Sequence, residues 1–271
     1  MTKYAAITSM DQKYYDHCGR SMLRSYKKFW SDKVPLYVYN EDEFDVKVKT
    51  VEPVGWNLSK DYWDFQDRHT NSKVKTFAKK GFPIIDAMQN IDCDRLIWLD
   101  ADIILQREIH LQLLNLIAPD DVLSTHFSVW HQKDQTEYHS CETGFFIVNK
   151  KHKGFEDFYN TYKDIYVNDK SQDLRRFYDG EVYGKTVELM QDKGYKVLNL
   201  NLGRHKTPIS RSIVSPYITH YKAGLKDNLN NPRFLLHADT FQLNNPVRLV
   251  PSVSFDLQCV QTQNCRAILP V

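Results

Sequence analysis

Two aspartates one residue apart, Asp100 and Asp102, follow the uncharged run Leu96-Ile97-Trp98-Leu99. A short apolar run with strong β preference reads as a strand buried on both faces. Burying an unpaired carboxylate costs several kcal/mol, so the pair belongs at the solvent edge or on a cation. Asp-x-Asp at the carboxyl end of a strand suits a divalent metal that carries a phosphorylated substrate. A second metal-ligand type lies far along the chain, in Thr219-His220-Tyr221-Lys222-Ala223-Gly224-Leu225-Lys226. One imidazole and two carboxylates suit manganese, which accepts mixed nitrogen and oxygen ligands. From Lys193 to Lys226 there are seven basic residues and no Asp or Glu. That one-sign span is either a solvated loop or an anion site for a pyrophosphate or a phosphate-bearing acceptor. His237-Ala238-Asp239 is a weaker second ligand pair.

Two more carboxylates sit beside small residues. Glu142 precedes Thr143-Gly144 at the entry to the apolar stretch Phe145–Asn149, where Gly144 allows a close backbone approach or a bulge. Asp179, in Asp179-Gly180-Glu181, opens a helical pattern and is either that helix's N-cap or a site carboxylate. Lys73, Lys75, Lys79 and Lys80 line another helix; such lysines are mostly solvated surface, and Lys73 is taken as the candidate phosphate contact.

The elements that must position these groups alternate. Strands are expected at Tyr4–Thr8, Pro35–Tyr39, Val46–Val51, Leu96–Leu99, Val122–Phe127, Phe145–Asn149 and Val197–Leu202. Helices are expected at Tyr14–Trp30, at Ser72–Asn90 with an interruption at Gly81-Phe82-Pro83, and at Leu111–Ile117, His152–Val167 and Asp179–Lys193. Gly55–Asn71 and Ser128–Ser140 read as irregular loops, the first a candidate mobile loop near the site. Strand–helix–strand order predicts a parallel sheet with right-handed crossovers.

At 271 residues the chain can bury a sizeable core. Its 26% charged residues and net charge of +2 do not announce nucleic-acid binding, but they leave room for a local basic patch. The five cysteines include no Cys-x-x-Cys, which argues against structural zinc; Cys259 and Cys265 could pair, but free thiols in a reducing compartment are the expectation. No run of about 18 apolar residues exists to span a membrane, and no signal peptide is evident. A cytoplasmic, soluble protein is expected.

In content and order these blocks resemble the GT-A-fold glycosyltransferases, most closely the glycogenin-like, lipopolysaccharide-galactosyltransferase-like family 8. Thr8-Ser9, Tyr14-Tyr15 and Gly19 look like the family's nucleotide-binding opening. Leu96–Leu105 looks like its Asp-x-Asp strand, and Cys141–Lys150 like its small-residue–Gly–apolar–Asn block. Asp179-Gly180-Glu181 falls where the family has Asp-Gln-Asp. His220 and Lys226 fall where it has a metal-binding His and, six residues on, a phosphate-binding Lys. The match spans about residues 4 to 226. Departures are Glu142-Thr143-Gly144 for Asn-Ala-Gly, Gly180 for Gln, a glycine one place late after His220, and Asp227-Asn228 for Pro-Trp.

The resemblance implies an α/β fold of the GT-A kind: a Rossmann-like, mostly parallel sheet flanked by helices over residues 1–226, with a C-terminal extension, 227–271, packed on it. It implies a nucleotide-sugar donor, most often a UDP-sugar, transferred with retention to a glycan or lipopolysaccharide-type acceptor. Thr8, Ser9 and Tyr15 would contact base and ribose. Asp100 would meet the ribose and, with Asp102 and His220, Mn²⁺ or Mg²⁺, while Lys226 would meet the diphosphate. Glu142 and Asp179 would stand beside the reactive carbon, as stabiliser, nucleophile or base. Other readings are a transferase acting on a modified base in DNA, a haloacid-dehalogenase-type phosphohydrolase, whose nucleophile is the first Asp of such a pair, and an inert binding module.

Overall fold

A computed structural model describes residues 2–30, 33–41, 46, 51–55, 59–131, 136–170 and 174–222, all within one compact unit, Met1–Asn230. The expected extension 227–271, with Lys226, His237, Asp239, Cys259 and Cys265, lies outside the described residues. β1 (Tyr4–Met10) leads through α1 (Gln12–Tyr14) and a π-helical turn, Tyr15–Gly19, into α2 (Arg20–Phe29). β2 (Leu36–Asn40), β3 (Val51–Gly55), α3 (Lys60–Arg68), α4 (Ser72–Asn90), β4 (Arg95–Leu99), β5 (Ile103–Leu105) and α5 (Leu111–Ile117) follow. Next come β6 (Ser124–His126), β7 (Ser128–His131), β8 (Thr136–Cys141), β9 (Phe145–Asn149), α6 (Phe155–Val167), α7 (Asp179–Asp192), β10 (Val197–Asn199) and β11 (Ile218–His220).

Seven strands form the main sheet in the order β10-β6-β9-β4-β1-β2-β3. β4, β1, β2 and β3 run parallel, as does β10 with β6. β9 runs antiparallel to both its neighbours, β4 and β6. The sheet is therefore mixed, against the parallel sheet expected from strand–helix alternation. Parallel neighbours need a crossover of a dozen or more residues, whereas β9 follows the β7–β8 hairpin rather than a helix. β5 pairs antiparallel with β11 in a separate ribbon. Every residue of β4 and β9 is buried. Trp98 stacks on Phe146, which stacks on Tyr183 of α7 at a centroid distance of 4.2 Å.

Several local expectations are corrected. Gly55–Asn71 contains a helix, α3, because Tyr62 and Phe65 fall three apart and pack edge-on against Phe82. α4 runs unbroken through Pro83. Proline lacks the N–H that would bond the carbonyl four residues back, and here that carbonyl, on Lys79, accepts the Ser9 hydroxyl at 3.3 Å. Ser128–Ser140 carries the two-stranded hairpin instead of a loop. Of the expected third strand Val46–Val51, residues 47–50 lie outside the described residues; a strand is described at Val51–Gly55, the edge of the sheet among the described residues, where Pro53 is tolerated. The N-cap of α7 is Tyr178, and Asp179 is the first residue inside the helix, its carboxylate taken up by Thr143 and Lys80.

His126, in β6, is buried and its Nδ1 has no hydrogen-bond partner. Burial lowers its pKa to about 4 from an ordinary 6.5. Between these values the unfolded chain takes up a proton that the folded chain refuses, so stability falls as pH falls from 6.5 to 4. The loss amounts to about 3 kcal/mol, at 1.36 kcal/mol per pH unit. Urea unfolding of wild type and His126→Gln at pH 6.5 and 4.5 should show a flatter acid slope in the variant.

Candidate active site

The site is built at the carboxyl end of β4. The backbone N–H of Asp100 donates to Gly144 O at 2.9 Å, and that of Ile103 to Asp100 O at 3.0 Å, closing a turn that carries Asp100 and Asp102 past the strand end. The ribbon β5–β11 then sets His220 opposite Ile103. Tyr221 N–H donates to Asp102 O at 3.0 Å, which fixes that register. His220 Nε2 lies 3.0 Å from Asp102 Oδ1 and 3.6 Å from Asp100 Oδ2. One ligand atom from each of Asp100, Asp102 and His220 lies within 4.8 Å of the others, a set of two oxygens and one nitrogen that could hold a divalent ion.

The tripeptide Glu142-Thr143-Gly144 ties this cluster together. Glu142 Oε1 is 2.9 Å from His220 Nδ1 and 2.5 Å from Lys222 Nζ, and its Oε2 accepts Ile209 N–H at 2.9 Å. Thr143 donates its hydroxyl to Asp179 Oδ2 at 2.6 Å, and its carbonyl accepts Lys80 Nζ at 2.6 Å. Gly144 lies against the imidazole: a Cβ there would stand 2.7 Å from Cε1 and Nδ1 of His220. Lys80 bridges the two halves, 2.6 Å from Asp100 Oδ1 and 3.0 Å from Asp179 Oδ2, with its ammonium 5.0 Å over the Trp98 ring. The Trp98 indole N–H donates to the same Asp100 oxygen at 2.7 Å.

Charge follows from these contacts. Burial opposes the charge on Lys80, but Asp100 and Asp179 outweigh it and raise its pKa. Burial likewise disfavours ionised Asp179, and Lys80 and Thr143 outweigh that to lower it. Glu142 is lowered against burial by His220 and Lys222. His220 is disfavoured by burial, yet hydrogen bonds to Asp102 and Glu142, with the nearby carboxylate charges, raise it to about 9.

Asp100, Asp102, Glu142, Asp179 and His220 thus converge. Thr8 and Ser9 lie in the last three residues of β1, the neighbour of β4, where Ile7 pairs with Trp98. The Thr8 hydroxyl is buried with no hydrogen-bond partner. Tyr15 is buried on the π turn, with the Arg20 guanidinium 5.1 Å over its ring. Lys73 is exposed in the first turn of α4, about 10 Å along the helix axis from Lys80 at 1.5 Å per residue. Lys226 lies outside the described residues. Among the described residues of the basic span, the charges are drawn to separate partners. Lys193 pairs with Asp157 and Lys196 with Asp121, while Arg204 lies 4.3 Å over Trp130 and Lys222 reaches Glu142. Reasoning from sequence missed Lys80 as the bridging lysine and missed Lys222. The signal for Lys80 was its place directly before the buried Gly81–Ile85 run of α4, which the expected break at Gly81 obscured.

Removing one partner of a buried ion pair costs about 3–5 kcal/mol because it strands the other charge. Lys80→Met should therefore destabilise the protein by about that much. The double variant Lys80→Met/Asp179→Asn should recover a large part of the loss, since one stranded carboxylate is then neutral. Urea unfolding of the four proteins in this cycle checks both statements.

No protein-family model and no curated protein matches this chain. Solved structures do. The galactosyltransferase LgtC, crystallised with donor and acceptor sugar analogs, superposes with a TM-score of 0.52 at 14% identity, over 87% of this chain and 95% of LgtC. The bifunctional glycosyltransferase WbbM superposes with a TM-score of 0.51 at 11% identity, over 89% of this chain and 52% of WbbM. GlyE of Streptococcus pneumoniae TIGR4 gives a TM-score of 0.46 at 15% identity, over 73% of this chain and 45% of GlyE. The chain spans about half the length of the last two. No helix among the described residues is long and apolar enough to cross a membrane. A mixed, mostly parallel sheet with helices on its faces, superposable on LgtC over nearly the whole of both chains, is the GT-A glycosyltransferase fold.

Proposed function

We propose that this chain is a metal-dependent glycosyltransferase that moves a sugar from a nucleoside-diphosphate donor, a UDP-sugar, to a saccharide acceptor with retention. The observation that carries the proposal is the convergence of Asp100, Asp102 and His220 at the end of the central strand, with Asp179 one lysine away. These three would hold Mn²⁺ or Mg²⁺. When bound, such an ion supplies positive charge at the diphosphate that leaves. Asp100 is already oriented by Trp98 and Lys80, so little reorganisation is needed there. Thr8 and Ser9, on the strand beside β4, and Tyr15, on the π turn that follows it, are assigned to the base and ribose, and the buried Thr8 hydroxyl, which has no hydrogen-bond partner, offers a donor to them. Lys226 is assigned to the diphosphate.

Asp179 is the carboxylate assigned to the sugar's reactive carbon. Lys80 and Thr143 keep it ionised. A general base works best with a pKa near the working pH, and a carboxylate held low is better suited to steady an oxocarbenium-like transition state or to attack it. That supports retention over inversion. The acceptor is assigned to glycans or lipopolysaccharide-type saccharides, with a modified base in DNA as the alternative. DNA would give a steep fall in affinity with salt, whereas a neutral saccharide would not.

Nucleotide sugars incubated with the protein and Mn²⁺ should release a nucleoside diphosphate slowly from one donor, and chelation should stop it. Asp102→Asn should cut that release about 10²–10³-fold, the usual cost of one lost electrostatic contact in an active site. Asp179→Asn should abolish transfer while donor binding persists. Hydrolysis of a simple phosphomonoester, with no release from any nucleotide sugar, would favour the phosphohydrolase reading instead.

A further inference from the structure

We infer that Glu142 is a positioning residue for the metal-binding histidine rather than a carboxylate beside the sugar: it fixes the proton of His220 on Nδ1 and turns Nε2 toward Asp100 and Asp102. The inference rests on the proposed Asp100–Asp102–His220 metal site.

The geometry uses both carboxylate oxygens. Oε2 accepts Ile209 N–H, and Oε1 accepts from His220 Nδ1 and from Lys222 Nζ. The residue is 6% exposed, so the carboxylate is turned inward. A carboxylate can only accept from Nδ1, so that nitrogen keeps its proton and Nε2 is the one offered to an ion. Gly144 closes the other side of the ring. With a Cβ there at 2.7 Å from Nδ1 and Cε1, only glycine leaves the imidazole this position. Glu142 and Gly144, two residues apart on one segment, therefore grip the ring from two directions while Nε2, at its other end, faces Asp102 Oδ1 at 3.0 Å. A metal-bound histidine that donates its other N–H to a carboxylate is a more basic and better oriented ligand, and loss of such a partner costs about 10–100-fold in metal affinity. Glu142 stands where the resembled family has an asparagine, so this contact belongs to this chain's own sequence.

The test is a titration with Mn²⁺ alone, with free Mn²⁺ read by electron paramagnetic resonance. Wild type is compared with Glu142→Gln, His220→Ala and the double variant. Glutamine keeps the shape but replaces one oxygen with NH₂. That group faces either Ile209 N–H or the imidazole Nδ1, and both arrangements break the present pattern. The expected result is about a 10–100-fold weaker Mn²⁺ affinity in Glu142→Gln, with no further loss when the substitution is made in His220→Ala. Equal affinity in wild type and Glu142→Gln overturns the inference and leaves the metal site standing. The same loss with and without His220 also overturns it, because Glu142 then acts only by bracing the Pro208–Arg211 turn. If wild type binds no Mn²⁺ more tightly than Asp102→Asn does, the metal reading fails and this inference with it. Should Glu142→Gln not fold, Glu142→Asp carries the comparison: it keeps the charge but withdraws the carboxylate by one methylene, and unchanged affinity again counts against the inference.

Discussion

Four carboxylates, from Asp100, Asp102, Glu142 and Asp179, crowd the end of one buried strand, and the surrounding structure answers their mutual repulsion and desolvation. Asp102 and Glu142 are buried, and the other two are about a fifth exposed. Several kcal/mol per ion stand against such an arrangement unless each is paired and hydrogen-bonded. The pairing falls mainly to two cations, with Lys222 as a third on Glu142. Lys80 serves Asp100 and Asp179, and His220 serves Asp102 and Glu142. Each of these two arrives on a different element, α4 or β11, so the helix layer and the ribbon are both pinned to β4 through charge as well as through packing.

The antiparallel course of β9 makes this pairing possible. Leu99 faces Phe145 across the β4–β9 pair, so the residues entering β9 meet the residues leaving β4. Glu142, Thr143 and Gly144 are thereby delivered to Asp100 at the strand end. A parallel β9 would place that segment at the opposite end of the sheet. The hairpin β7–β8 matters for this reason: it lets the chain return without a crossover helix. Gly180 extends the same logic. A Cβ there would meet Cys141 O at 2.4 Å, so only a glycine lets α7 approach closely enough to bring Asp179 to Thr143.

Much of this was legible in the sequence because it follows from short-range signals. The uncharged run before Asp100 announced a buried central strand, and the order of strands and helices announced the α/β class. The convergence of His220 with the two aspartates was legible only through resemblance, since no local pattern links residues about 120 apart. What was missed had competing signals. Pro83 suggested a broken helix, but the lost N–H left a carbonyl that Ser9 could satisfy. Tyr62 and Phe65 gave too short a period to stand out from the polar residues around them, and Phe82, their packing partner, is distant in sequence. Lys80 looked like Lys73, Lys75 and Lys79, because a lysine's role depends on which carboxylate the fold brings to it.

Among the groups described, four carboxylates face two lysines, Lys80 and Lys222, and one imidazolium, leaving a single net negative charge in the protein by itself. Under the proposed function a divalent ion held by Asp100, Asp102 and His220 would stand in place of the imidazolium proton, and the cluster would then be neutral. An asparagine in place of Glu142 would leave Lys222 without its carboxylate and the cluster with one positive charge in excess once the ion is in place. The exchange of asparagine for glutamate and the nearby lysine therefore make sense as a pair: Lys222 balances the carboxylate that orients His220, on the same Oε1 that meets the imidazole. That division leaves the charge of the ion, rather than of the lysine, free to act on the diphosphate.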